Sequence, residues 1–121
     1  MFKLRSLAVA ALVLFAGQAS AQETTFRLKN SMEYPISQLS VSPTQLNMWG
    51  PNFLRPPVIR PGEAREVSFR ASPDWCMGDL RVSFADGGPP AVWGYLNLCT
   101  LQKISLHYDR MTGVTSARYD G

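Results

Sequence analysis

Ser105, His107 and Asp109 stand at alternate positions, and His107 is the one histidine of the 121-residue chain. Serine, imidazole and carboxylate are the groups that acyl transfer uses as nucleophile, base and orienter. Alternate positions of a strand share one face, and such neighbours stand about 6.5–7 Å apart. A nucleophile and its base need a hydrogen bond of about 2.6–3.2 Å. The three therefore read as the wet face of an amphipathic strand, and no catalytic residue is assigned. A hydrolase is the weakest functional reading, because it requires these side chains to be gathered and covered.

Asp74, Asp79 and Asp86 supply the other carboxylates that draw attention. They are spread over a turn and a strand and do not match a calcium loop. Asp79 precedes an expected inward Leu80 and so should point outward, and Asp86 fits a hairpin. No metal ligand and no cofactor is assigned. Cys76 and Cys99 are the two cysteines. Their separation is far from C-x-x-C, and no histidine lies near either, so a structural disulfide is the expected use. Closing a loop of this size stabilises by about 3 kcal/mol, which matters for a domain whose whole stability is on the order of 5–15 kcal/mol.

Aromatic residues are the better lead. Trp49 lies in a long loop with Asn47, Asn52 and Arg55 nearby, and Trp93 lies in an irregular strand. Tryptophan, tyrosine and arginine are over-represented at binding hot spots. These five residues form the candidate binding surface. The competing reading folds Trp49 back to cap an open end of the domain. Trp75, beside Cys76, reads as packing around the disulfide.

The elements that must position these groups are strands. Phe26 and Leu28 alternate with Arg27 and Lys29, and Leu39 and Val41 with Ser40 and Ser42. The same period recurs at Val67 and Phe69, at Leu80, Val82 and Phe84, and at Ile104, Leu106 and Tyr108. Period-two alternation marks half-buried strands. Ala91 to Thr100 does not keep one phase and predicts a bulge or break near Gly94. Val114 to Tyr119 is a weaker last strand. Pro61-Gly62 suits a type II turn, and Asp86-Gly87-Gly88 a hairpin. Pro43 to Arg60 holds four prolines in eighteen residues. It cannot be a central strand, and loops of that length are functional or partly ordered. Val58-Ile59 is expected to add a short edge strand within it. About six to eight short strands in one hundred residues predict an all-β domain, a small antiparallel β-sandwich or open barrel with one disulfide.

The first residues predict export. Lys3 and Arg5 precede the apolar run Leu7 to Ala16, and Ala19-Ser20-Ala21 presents small residues for cleavage after Ala21. Ten apolar residues cover only about half of a ~30 Å hydrocarbon core, so a membrane anchor fits less well. Residues 1–21 are thus expected to be a signal peptide and 22–121 a single β domain, periplasmic or secreted, with no integral membrane span after signal removal. Lys3 and Arg5 leave with the signal, so 10 basic residues face 9 acidic ones, a formal charge of +1. That balance gives no footprint for nucleic acid or an anionic membrane.

Several segments together resemble a group of small, signal-peptide-bearing, uncharacterised bacterial proteins. They are Phe26 to Asn30 leading to Leu39-Ser40-Val41-Ser42-Pro43, then Trp49-Gly50, Cys76 to Gly87, and Asn97-Leu98-Cys99. The resemblance implies a secreted β domain with this disulfide and implies no activity. Asn47 to Asn52 departs from the group in lacking carboxylates, which leaves that loop poorly equipped to hold a cation. The leading expectation is an exported non-enzymatic domain that binds a protein or glycan of the cell envelope through the 43–60 loop. The alternative is a small-ligand binder for sugar or cation, and a further one is an oligomer joined at an exposed strand edge.

Overall fold

The computed structural model describes residues 22–71 and 75–121, without the side chains of residues 22 and 71. The expected signal peptide, its cleavage point after Ala21, and Asp74 lie outside the described residues. Seven strands follow one another: β1 (Gln22–Asn30), β2 (Ile36–Pro43), β3 (Ala64–Ala71), β4 (Met77–Phe84), β5 (Ala91–Asn97), β6 (Lys103–Asp109) and β7 (Val114–Asp120). They form a four-stranded sheet in the order β3-β1-β6-β7 and a three-stranded sheet in the order β2-β4-β5. The all-β expectation resolves to the sandwich rather than the open barrel. All pairs are antiparallel except β1 with β6, which run parallel with Leu28 opposite Ile104. Alternation tells which face a residue takes, but not which strand lies beside it or in which direction.

The alternating sets fill the core. Phe26, Leu28, Val67, Phe69, Ile104 and Leu106 come from the four-stranded sheet, and Leu39, Leu80, Val82, Phe84, Trp93 and Leu96 from the other. Two closely packed inner faces with polar outer ones are what an aligned sandwich requires. In β5, Leu96 pairs with Gly78 and Trp93 with Leu80, so Gly94 and Tyr95 together oppose Asp79. This is the bulge expected near Gly94, and Tyr95 carries it at φ 58°. The Pro61-Gly62 turn is also as expected: Glu63 N donates to Arg60 O at 3.0 Å, and Gly62 takes φ 83°. Cys76 and Cys99 are joined, with their Cα atoms 5.1 Å apart.

The proline-bearing loop is more ordered than a surface connection. It runs along the outer edge of β2. Gly50 N donates to Val41 O, Phe53 N to Leu39 O, and Ile36 and Ile59 exchange both backbone hydrogen bonds at 2.9 Å. Asn52 supplies the acceptor that a strand would have offered, since its Oδ1 takes Leu39 N at 2.9 Å and Leu54 N at 3.0 Å. Leu54 and Ile59 have no exposed surface at all. Two side chains of this loop are therefore core, and its backbone is held along β2.

Side chains lace the two open flanks of the sandwich. On one flank Arg65 of β3 donates to the carbonyls of Pro56 and Val58. On the other, Trp93 Nε1 of β5 donates to Ser116 O of β7 at 2.8 Å, and Thr115 Oγ1 donates to Val92 O at 3.0 Å.

Candidate functional site

Where β2 ends and the loop begins, the two sheets part. Pro43, Met48 and Pro51 of the loop line a groove of about 530 Å³ with Trp75, and Phe53 and Phe69 of β3 line it as a contacting pair, their ring centroids 5.1 Å apart. The groove exists because Gly50 and Phe53 are hydrogen-bonded to β2, which holds Pro51 between them at a fixed distance from the sheet. Trp75 is positioned by its neighbour across the chain. A Cβ built on Gly78 would lie 2.7 Å from the Trp75 ring and 2.6 Å from Leu98, so the absence of a side chain at 78 lets the indole lie against β4. Met48 is 67% exposed at the rim. Arg70 is the one charged residue in the lining. Apolar walls with a single cation can hold a hydrocarbon, an aromatic ring or the flat face of a sugar; they offer no acid–base pair.

The five residues expected to form one binding surface are not brought together. Asn47 is exposed, and with φ 50° it turns the chain. Trp49 lies on the outer face of the three-stranded sheet, half-buried, with the Arg81 guanidinium 4.6 Å from its ring centroid. Its ring thus meets a cation outside the sheet instead of capping an open end. Asn52 is committed to the backbone of β2. Arg55 is exposed, and its Nη1 donates to Leu54 O at 3.0 Å. Trp93 is in the core, 3% exposed and edge-on to Tyr108. Residues that line the groove, Met48, Pro51, Phe53 and Trp75, belong largely to the same loop but were not singled out for this use. A Met-x-x-Pro-x-Phe spacing beside turn residues was the available signal; it becomes informative only once the loop is known to follow β2.

The carboxylates have structural partners. Asp79 faces outward as expected, yet the 44–49 segment folds over it and it is 7% exposed. Its Oδ2 accepts Gln45 N at 3.0 Å and its Oδ1 accepts Tyr95 N at 3.1 Å. Both donors have positive φ, so one carboxylate holds a loop turn and a strand bulge at once. Asp86 accepts both terminal nitrogens of Arg110, at 2.8 and 2.9 Å. The Arg110 hydrogen bonds, helped by the Gly88 N–H, draw its pKa down to about 2. The same pair raises the Arg110 pKa. Among the described residues no three ligating side chains cluster as a metal site would require.

His107 and Asp109 border a shallow polar hollow of about 590 Å³ with Glu33 and Tyr34, while Ser105 opens into a different hollow beside Lys29 and Lys103. Asp109 Oδ1 accepts Met111 N within its own turn. Among the described residues no hydrogen bond joins the three. No known protein family, curated protein or solved structure matches the chain. The fold and its bridge define the class: a small all-β sandwich domain with one disulfide.

Proposed function

We propose that this chain is an exported, non-enzymatic binding domain of the periplasm or the secreted fraction. It holds an apolar side chain of another envelope component in the groove between the 43–60 loop and Trp75. The observation that supports the reading is the groove itself, about 530 Å³ with walls from Pro43, Met48, Pro51, Phe53 and Trp75. Aromatic and methionine side chains at a partly open, apolar site give contact area and adaptable packing to a protein partner. A photo-cross-linking residue at position 48, in cells making the full chain, tests it. One discrete adduct, lost when Phe53→Asp fills the groove with charge, is the expected result. No adduct above that of the same probe at exposed Gln102 overturns the reading.

A small-ligand binder is the second reading, and the half-exposed indole of Trp75 in the groove wall favours it for a sugar. A saturable change in tryptophan emission on adding a sugar, abolished in Trp75→Phe, would select it over the protein partner. A cation is the weaker ligand, since Asp79 and Asp86 already accept backbone and arginine donors.

A further inference from the structure

The outer face of the four-stranded sheet carries basic residues side by side. Arg27 of β1 stands in register with Lys103 of β6, and Lys29 with Ser105. On the next strand Arg118 stands in register with Ser105. Four cations thus surround one serine on three adjacent strands about 4.8 Å apart. Arg27, Lys29 and Lys103 border a hollow of about 250 Å³ in which Ser105 is half-buried. Like charges directly opposite one another in a sheet are destabilising. The two ion pairs among the described residues, Arg65–Glu63 and Arg110–Asp86, involve none of the four. Glu66 stands directly opposite Arg27 and Asp120 directly opposite Lys103, one acid at each end of that row, whereas the next row, Ala64, Lys29, Ser105 and Arg118, has no acid in it. The row without an acid leaves positive charge that an entering anion would meet.

We infer that this face is a second binding surface, which takes the oxyanion groups of an acidic polysaccharide through Arg27, Lys29, Lys103 and Arg118, with the Ser105 hydroxyl at the floor. It shares no lining residue with the groove, and it stands whether or not the groove binds a partner. A polysaccharide fits better than the two other polyanions. Bases of single-stranded nucleic acid need aromatic platforms, and none of these positions is aromatic. A membrane surface is held by inserted apolar side chains together with charge, and here the cations ring a hollow without such a side chain among them. The formal balance of +1 over residues 22–121 does not show the local excess of four cations over Glu66 and Asp120 on this face.

The test is retention of the purified protein on immobilised dextran sulfate and on uncharged dextran. Binding to the sulfated polymer alone is expected, falling about fifty-fold between about 50 and 200 mM salt if four contacts form. Lys29→Gln and Lys103→Gln should each weaken it about five-fold, whereas Arg60→Gln, which removes the same charge from an exposed turn, should leave it unchanged. Both substituted lysines are exposed, and an unchanged melting temperature shows that each variant is folded. Equal losses from Arg60→Gln, or no retention, overturn the surface. Tighter binding to single-stranded RNA or to phosphatidylglycerol vesicles than to dextran sulfate overturns the polysaccharide as its occupant.

Discussion

At the end of the sandwich where β1 turns toward β2, the polar contacts are arranged around one buried amide; at the opposite end a covalent bridge and an indole take that place. Asn30 has no exposed surface. Its Nδ2 donates to Tyr34 O at 2.9 Å and Ile59 O at 3.0 Å, and its Oδ1 accepts Met32 N at 2.9 Å. Beside it the Arg110 guanidinium lies 3.5 Å from the Tyr34 ring centroid and 5.0 Å from that of Phe84, and Phe84 stacks on Tyr108. The other end has Cys76–Cys99, Trp75 and Gly78, and beside them the groove stays open. The end secured by directional hydrogen bonds offers a shallow polar hollow beside Glu33 and Tyr34 and no apolar groove. An end secured by a covalent link can leave apolar surface uncovered without coming apart, and that is where the apolar groove lies.

The largest effect should come from the closed end. Asn30→Ala takes the partner from Tyr34 O and the Met32 N–H, leaves Ile59 O with the Ile36 N–H alone, and should cost about 3–5 kcal/mol in urea unfolding. Breaking the bridge with Cys76→Ser/Cys99→Ser should cost about 3 kcal/mol, and reduction of the native protein should reproduce that loss while adding nothing to the double variant. The two losses should add, because the sites share no partners; strong coupling between them would show that the ends are not independent. Trp93→Phe keeps most of the core volume but removes the donor to Ser116, and should cost about 1–2 kcal/mol. The smallest effect concerns acid. The Asp86 pKa is lowered from 3.8 to about 2 in the folded protein, chiefly by the Arg110 hydrogen bonds. The stabilisation it gives is complete above the ordinary value and disappears as pH falls through about 2. Asp86→Asn should therefore flatten the melting temperature between pH 4 and pH 2 relative to the parent, and an unchanged acid slope would remove this pair from the account of the closed end.

The features that could be read in the sequence are those with local causes. Phe26 and Leu28, Leu80 to Phe84 and Ile104 to Leu106 keep their period, so their faces were legible. The turn at Gly62 and the bulge at Gly94–Tyr95 have local signatures, and two cysteines allow one bridge. Non-local features were hidden. The parallel pairing of β1 with β6 joins residues more than seventy positions apart, and alternation carries no direction. Asn30 carries no local sign of its burial, because its amide reaches Ile59 O across the fold as well as Tyr34 O and Met32 N in the link that follows it. Trp93 looked like a surface aromatic because the bulge that follows it broke the apparent phase, although its indole is core. Asn52 looked like a sugar contact and is the acceptor that aligns the loop with β2. The groove could not be anticipated at all, since it is made by the distance between Pro51 and Trp75, which no spacing rule encodes.

The segment laid along β2 has a consequence for how copies of this chain meet one another. A sheet margin is a template on which the next molecule can polymerise. Here the template is already occupied by the chain's own residues 50–59. Pro51, Pro56 and Pro57 lack an N–H and so cannot pass the pattern to a newcomer. Growth of a fibre from that side is terminated within the monomer, and any assembly of copies through strands must begin at one of the other sheet margins, β3, β5 or β7.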